Sequence, residues 1–515
     1  MGTIVTYTVV AFAFFLLIAK YDIHMFQLSS YRYSRYFRWL VPGNIISQKR
    51  FIAFMMLVPA LVPNYVGVGF ATGITIGAWA VAWREKFKTP LVYTMRVKRL
   101  FATNILLFVA ITALALLFAT EWATVIIAAT LLLSNFLMLL ANLVNTPIEK
   151  AINRHYYNDA KRIIDSHKGL IIIGVTGSFG KTSTKNYLAS VLAEKYNVLV
   201  TPGNFNTLLG VIRTIREQLR PYHQVFIVEM GAKQKNDIKE ICDLVHPTIG
   251  IVTAVGEMHL ETFKTVENIQ ETKFELINSL PASGLGVINY DSEYIKSYKG
   301  IKSPCKIIRY AVEGEGDYKV NDVIYGAGGV SFTLGNGEHY SSRLLGVGNL
   351  LNILASIAVA DHLGVPVNKQ RNAIARLQPV EHRLSMKVAN GITVLDDAYN
   401  SNPTGAKMSL GVLKEFAVGE GNKRIVITPG FVEMGARQAD ANKELGRTIA
   451  VSCDYAIIVN AVNREAIKSG IEEGGLPAEK YFLADSLNHA HQQLAKILRP
   501  GDVVLYENDL PDNFK

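Results

Sequence analysis

Ile171-Ile-Ile-Gly-Val-Thr-Gly-Ser-Phe-Gly-Lys-Thr-Ser-Thr184 decides how the chain is read. An apolar run from Leu170 to Val175 enters a glycine-rich turn and emerges at Lys181-Thr182. The pattern predicts a buried strand, a tight turn and a helix N-terminus. Backbone N–H groups and the positive end of the helix can cradle phosphates there. Lys181 is placed to reach the terminal phosphates and Thr182 to ligate Mg²⁺. The general form G-x-x-x-x-G-K-[ST] would put glycine at 175, where Val175 stands, so this is a shorter variant. A chance glycine-rich turn is the alternative. The strand, both glycines and the Lys-Thr pair in the right order argue against it.

Working outward, the pattern alternates from about residue 151. Strand-like runs at Leu170–Val175, Asn197–Thr201, Val225–Glu229, Ile249–Val255 and Leu285–Asn289 are separated by amphipathic stretches such as Thr182–Tyr196. This predicts an α/β domain with a mainly parallel sheet. A helix near Asn349–Leu363 closes it. Runs at Ile392–Leu395, Arg424–Thr428, Tyr455–Val459 and Val503–Tyr506 predict a second, smaller α/β unit. The expected domains are 1–150, 151–378 and 379–515.

Before the alternation begins, the chain is apolar. Of 515 residues 50% are hydrophobic and only 19% charged, too greasy for an ordinary soluble enzyme. Residues 3–19, 51–83 and 104–143 are apolar. The first is of nearly spanning length and reads as an anchor, lacking the charged start and small-residue cleavage site of a signal peptide. The other two are broken at Pro63-Asn64 and Glu121 and read as tight hairpins. Lys20, Arg32, Arg35, Arg38, Lys49 and Arg50 precede the first hairpin. Arg84, Lys86, Lys88, Arg96, Lys98 and Arg99 precede the second, and Lys150, Arg154, Lys161 and Arg162 follow it. Basic loops face the cytoplasm, which predicts five spans in a bacterial plasma membrane, N-terminus outside and catalytic part inside. The net charge of +10 is thereby explained without nucleic acid. The Tyr-, Arg- and Trp-rich stretch Ile23–Leu40 suits the headgroup layer, as a juxtamembrane helix or as a surface for a lipid-linked substrate or membrane partner. Cys242, Cys305 and Cys453 are too scattered for a metal pair or a disulfide framework.

Further candidates lie beyond the phosphate loop. Val225-Phe-Ile-Val-Glu-Met-Gly-Ala232 puts Glu229 at the C-terminal end of a strand, where ligands bind open α/β sheets. A carboxylate there can share the cation that Thr182 ligates. His259 follows the next strand, and Lys273 and Glu275 lie on the helix after it.

In this order the residues resemble the Mur ligase family, most closely its D-alanyl-D-alanine-adding branch. Thr176–Ser183 resembles the branch's phosphate loop, Thr201–Asn206 its T-x-G-N-x-N loop and Glu229–Ala232 its E-x-G-A strand end. His259–Phe263 and Lys273–Glu275 are similar to its H-L-E-x-F and K-x-E segments. Gly348–Asn352 is similar to the adenine-facing helix, His382-Arg383-Leu384 to the hinge and Asp396–Pro403 to the D-D-x-Y-N-A-N signature. Phe431–Gly435 resembles a turn of the C-terminal domain.

The resemblance implies roles. Gly177, Ser178, Gly180, Lys181, Thr182 and Ser183 would bind ATP phosphates. Thr182 and Glu229 would hold one Mg²⁺, and His259 with a carbamylated Lys273 a second. Asn349 and Asn352 would lie near adenine, Asp397 would take the ribose, and Arg383 would reach the γ-phosphate. Asn204, Asn206, Tyr399, Asn400 and Asn402 would line the substrate cleft. The implied reaction is ATP-dependent amide formation on an envelope precursor, with Lys181, His259, Lys273 and Arg383 as catalytic groups. The carboxylate becomes an acyl phosphate, and the amine of an amino acid or dipeptide displaces phosphate. Envelope-synthesis proteins and membrane lipid are the implied partners.

Three positions depart from the family pattern: Gly348 and Asn442 replace histidines, and Glu507-Asn508-Asp509 replaces K-G-S. The apolar segments stand where the family carries its nucleotide-sugar domain. Other readings are a polyglutamate-synthase-like ligase, an ATP-binding envelope scaffold and a P-loop transporter. The last lacks a transport signature, and the membrane segments read as lacking buried charge.

Overall fold

A computed structural model describes residues 2–40, 48–62, 64–84, 87, 89–203, 205–258, 260–399 and 401–510. The expected site residues Asn204, His259 and Asn400 lie outside the described residues. The chain forms two compact units, dividing between His155 and Tyr156.

The first unit is helical: α1 (Gly2–Leu28), α2 (Tyr33–Leu40), α3 (Gln48–Met55), α4 (Leu57–Leu61), α5 (Tyr65–Arg84), α6 (Met95–Phe118), α7 (Ala123–Leu132) and α8 (Ser134–Ser166). α1, α5 and α6 are long and apolar enough to cross a membrane, and the pair at Thr120–Leu132 and Ser134–Ser166, bent by 75°, would make a fourth. This is fewer than the five spans expected, because the first arm of the first hairpin is only the short helices α3 and α4. The hairpin arrangement itself is present. At one end Tyr7 Oη donates to Met56 O (2.9 Å) and Thr124 Oγ1 to Ala60 O (2.8 Å). At the other, His24 Nε2 bonds Thr89 O (2.8 Å) and Arg99 Nε donates to Glu149 (2.7 Å). Phe15 stacks on Phe108 between them, centroids 4.1 Å apart. The basic stretches around Lys20, Arg96 and Lys150 therefore share one end.

The interior of this unit corrects the expectation of no buried charge. Asp22, Ser134, Asn142, Asn145 and Glu149 are all at least nine-tenths buried. Ser134, Asn142, Asn145 and Glu149 follow at helical spacing on α8, a polar seam along that helix. Ser134 Oγ donates to Asp22 (2.6 Å), Asn142 Nδ2 to Tyr33 Oη (2.8 Å) and Thr103 Oγ1 to Asn145 Oδ1 (3.1 Å).

The second unit holds two sheets. The first contains β1 (Ile171–Thr176), β2 (Val198–Val200), β3 (Val225–Glu229), β4 (Ile249–Val252), β5 (Leu285–Asn289), β6 (Lys306–Ala311), β7 (Tyr318–Gly326), β8 (Gly329–Leu334) and β9 (His339–Ser342). Their order is β2-β3-β1-β4-β5-β6-β7-β8-β9. Strands up to β7 pair in parallel, and β7–β9 form an antiparallel meander. β1 and β3 are covered on both faces, which is why their sequences are continuous apolar runs and not alternating ones. Ile173, Val175, Ile227 and Ile251 are fully buried, each contributing about 2 kcal/mol of transfer free energy. β1 hands the chain to α9 (Lys181–Leu192).

The second sheet contains β10 (Ser385–Ala389), β11 (Ile392–Asp397), β12 (Arg424–Thr428), β13 (Tyr455–Val459), β14 (Tyr481–Ala484) and β15 (Val503–Glu507). Its order is β10-β11-β15-β12-β13-β14, with only β10 antiparallel. The last strand thus lies mid-sheet, and register sets Glu507 beside Asp397.

Candidate active site

The phosphate loop takes the shape its glycines allow. Gly177 (φ +154°) and Gly180 (φ +80°) adopt backbone that side chains disfavour. A Cβ at Gly177 would fall 2.1 Å from Thr253 Oγ1, and one at Gly180 2.7 Å from Asn352 Oδ1. Thr253, at the end of β4, donates to Thr176 O (3.2 Å) and also contacts Phe179 O, pinning the turn to the neighbouring strand. Ser178 accepts from Gly256 N (3.0 Å). Lys181 Nζ donates to Gly177 O (2.8 Å) and Ser178 O (3.2 Å). Burial lowers its pKa to about 8, with nearby Arg383 adding to the effect and Glu229 opposing it.

Glu229 is the electrostatic centre. It ends β3 and is 1% exposed. Thr182 Oγ1 (3.2 Å) and Asn206 Nδ2 (3.0 Å) donate to its Oε1. Lys185 Nζ stands 3.1 Å from Oε2 but donates its hydrogen bonds to Thr201 O (2.8 Å) and Gly203 O (2.7 Å). Oε2 is thereby charge-paired, with lone-pair capacity left over. Burial pushes the carboxyl pKa up, but Lys185, Lys181 and the Asn206 amide outweigh it and hold it below the usual range. A buried carboxylate oxygen with spare acceptor capacity, beside the Thr182 hydroxyl at a helix N-terminus, fits a hard divalent cation.

Lys273 is 4% exposed on the helix Val266–Asn278. Burial, reinforced by Lys181, lowers its pKa to about 7. A large share of the amine is therefore neutral at neutral pH, which is the form that CO₂ can carbamylate. Glu275, two residues on, has a different role. Its carboxylate accepts from Asn236 N (2.7 Å) and Lys239 N (2.9 Å), capping the helix Asp237–Val245.

The second sheet supplies the opposite wall. Asn352, Asn349 and Ser183 from the first sheet's side face Arg383, Asp397 and Asn402 across one cleft. Arg383 lies over the Tyr399 ring, 4.1 Å from its centroid. It sits between His382 (φ +58°) and Leu384 (φ +51°), both left-handed, so the hinge stores backbone strain around this one guanidinium. Leu384 N donates to Asp397 Oδ1 (3.1 Å). Burial nevertheless raises the Asp397 pKa to about 6 against the pull of Arg383.

Several expected ligand contacts also carry structural bonds. Tyr187 Oη donates to Asn349 Oδ1 (2.8 Å) and Thr184 Oγ1 to Asn352 Oδ1 (2.9 Å), bracing α9 against the helix Gly346–His362. Asn402 Oδ1 caps the helix Pro403–Glu415 through Gly405 N (3.1 Å). Asn442 ties down a turn, accepting from Phe431 N (2.8 Å) and donating to Phe431 O (3.0 Å). Glu507 is fully buried and accepts from Ser401 Oγ and from Thr428 Oγ1 (2.9 Å). Burial lifts its pKa to about 8, and Asp397 adds to the rise. An ion pair between Arg437 and Glu257 joins loops of the two sheets.

Lys185 and Thr253 are absent from the sequence reading. Lys185 had a signal, since it lies one turn after Lys181 on the same helical face. Thr253 lay inside the expected run Ile249–Val255, whereas the strand ends at Val252 and leaves Thr253 to face the loop.

Residues 175–360 match the model of the Mur ligase middle domain, and residues 382–506 that of the Mur ligase glutamate ligase domain. The UDP-N-acetylmuramoyl-tripeptide–D-alanyl-D-alanine ligase of Mycobacterium tuberculosis is 33% identical over 360 residues, covering 65% of this chain and 70% of the relative. The Bacillus subtilis enzyme of the same name is 28% identical over 347 residues, covering 66% and 73%. The crystal structure of MurF ligase from Thermotoga maritima in complex with ADP superposes with a TM-score of 0.61 at 27% identity, covering 69% of this chain and 80% of that one.

Proposed function

Because the chain belongs to the Mur ligase family of ATP-dependent carbon–nitrogen ligases, we propose that it is a membrane-anchored member acting on peptidoglycan-type precursors. It would join a precursor carboxylate to the amine of an amino acid or dipeptide. The observation that carries this reading is the convergence of Lys181, Thr182 and Glu229 with Arg383 and Asp397, drawn from two sheets.

The loop amides and Lys181 bind the ATP phosphates. Arg383 neutralises charge on the transferring γ-phosphoryl group, and Asn349, Asn352 and Asp397 hold the nucleoside end. A substrate carboxylate oxygen attacks the γ-phosphorus, the bond to ADP breaks, and an acyl phosphate forms. The amine then attacks the acyl carbon, a proton leaves the nitrogen, and phosphate departs with the former carboxylate oxygen. Thr182 and Glu229 would hold one Mg²⁺, and His259 with carbamylated Lys273 a second; these ions supply charge neutralisation at the phosphates. Closure about the strained His382–Leu384 hinge excludes water from the acyl phosphate.

Membrane anchoring is supported by three long apolar helices whose outer faces are exposed, including Val66, Trp83, Leu117 and Phe118. With the basic stretches at one end, the positive-inside rule puts that end and the ligase in the cytoplasm.

The test is phosphate release by the detergent-purified chain, with Lys181→Ala as the blank. Soluble and lipid-extracted envelope precursors are supplied separately, each with D-alanyl-D-alanine or single amino acids. Amine-dependent release is expected. ATP binding without release from either fraction would favour the scaffold.

A further inference from the structure

Lys185 lies one turn beyond Lys181 on α9 and is 1% exposed. Its ammonium has three donors to place. Two go to Thr201 O (2.8 Å) and Gly203 O (2.7 Å), and Glu229 Oε2 stands 3.1 Å away. The segment it grips returns to the same carboxylate, where Asn206 Nδ2 donates to Glu229 Oε1 (3.0 Å). Backbone bonds complete the enclosure. Glu229 N donates to Thr201 Oγ1 (3.1 Å) and Gly231 N to Asn206 O (2.7 Å). Glycine is needed at 231, since a Cβ there would fall 2.8 Å from the Asn206 side chain. The loop 201–206 is thus closed on Glu229 at its start by Lys185 and at its end by Asn206.

One side of this loop is open, because a Cβ built on Gly203 (φ +50°) meets no atom within 4 Å. Inside it, Phe205 N donates to Pro202 O (3.0 Å). A neutral turn bond returns less than the entropy of ordering such a loop, so the grip has to come from outside. A lysine present only to neutralise Glu229 could take its remaining bonds from any carbonyl. These two belong to the loop read as lining the substrate cleft.

We propose that Lys185 is a positioning residue for precursor binding, holding the 201–206 loop on the carboxylate that takes the cation. The inference rests on the ligase reading above and names a residue that shapes its precursor site. The loop is thereby set beside the phosphates before the precursor arrives.

The test uses the full chain in phosphatidylcholine nanodiscs. Amide hydrogen exchange is followed by mass spectrometry in peptides covering the phosphate loop and the 201–206 loop. Lys185→Met should speed exchange in the second peptide by about tenfold or more, the scale of one lost charge-assisted hydrogen bond. The phosphate loop should change far less. Because this variant strands the Glu229 charge, the deciding sample is the double variant Lys185→Met/Glu229→Gln. It removes both charges, so the fold is restored, and it keeps an acceptor for Asn206. Fast exchange of the 201–206 loop should persist there. Exchange as slow as in the wild type would mean that Lys185 only compensates Glu229 and would overturn the proposal. The second readout uses the precursor fraction, soluble or lipid-extracted, that drives phosphate release. In Lys185→Met its half-saturating concentration should rise about tenfold, while that of ATP stays within about twofold of the wild type. Equal rises for both, or none for the precursor, would also overturn it. The ligase reading fails separately. Adenylyl imidodiphosphate with Mg²⁺ should slow phosphate-loop exchange in the wild type. No slowing, or no release from either fraction, would sink that reading, while the double variant still decides what holds the loop.

Discussion

Two strands of the ligase unit end in buried glutamates, and the two behave oppositely. Glu229 closes β3 of the first sheet and Glu507 closes β15 of the second. Each is at most 1% exposed. Glu229 stays ionised because Lys185 and Lys181 stand beside it, overcoming the cost of burial. Glu507 has hydroxyl donors and a neighbouring acid, Asp397, but no cation among its described partners, and burial wins. Position at a strand's C-terminal edge therefore does not make a carboxylate a metal ligand. The neighbouring charges decide, and the first sheet has them.

The hardest test of this contrast is Lys181→Ala. It removes the group proposed to reach the phosphates, and turnover should fall by about 10³-fold. Turnover within tenfold of wild type would place the phosphate chemistry elsewhere. Next, Lys273→Ala should cost on the order of 100-fold, the scale of a lost outer-shell or metal-ligand function. Acetate, supplying the carboxylate that a carbamylated lysine would provide, should restore part of it. Failure of acetate to act would remove the carbamate from the account.

Lys185→Met turns the first glutamate toward the second. It leaves Glu229 buried without its nearest partner, and stability should drop by about 3 kcal/mol in chemical denaturation. Little change would show that the pair contributes nothing to holding the carboxylate ionised. Glu507→Gln probes the other side. The folded pKa of about 8 lies above the ordinary carboxyl value of 4.5. Below about 4.5 both states are protonated and there is no penalty. Between about 4.5 and about 8 the unfolded chain ionises while the folded one keeps its proton, so stability falls as pH rises through this window. Glu507→Gln should flatten that slope and raise the unfolding midpoint at pH 8. A slope shared by variant and wild type would mean that Glu507 does not titrate as described. The smallest effect is Arg437→Ala. This partner of Glu257 is largely exposed, so stability should change by less than about 1 kcal/mol.

The legible parts of this fold are those where one local pattern suffices. β1, β3, β5, β12 and β13 are uninterrupted apolar runs because both faces are covered, and their ends fall where polar residues begin. Lys181, Thr182 and Glu229 are readable for the same reason, each being fixed by an adjoining run. The meander β7–β9 was not readable. β7 is largely exposed, with only Val320 buried, and Lys319, Asn321 and Asp322 break its apolar residues into short pieces. Glu507 beside Asp397 was also hidden, because the pairing of β11 with β15 joins residues far apart in the chain. The roles of Asn349, Asn352 and Asn402 show a further limit. Motif matching names them as ligand contacts but is silent on the helices they brace and cap. In the helical unit, hydropathy gave the hairpins. It overstated the first arm, which is split at Met56 into two short helices, and it passed over the polar seam, which averages away inside apolar windows.

The most direct test follows the oxygen atoms. Precursor labelled with ¹⁸O in the reacting carboxylate would be turned over with ATP and amine, and the released phosphate analysed by mass. An acyl-phosphate ligase must leave one labelled oxygen in phosphate for each amide formed. Unlabelled phosphate, with oxygen drawn from water, would mean that ATP is hydrolysed without activating the carboxylate and would contradict the account.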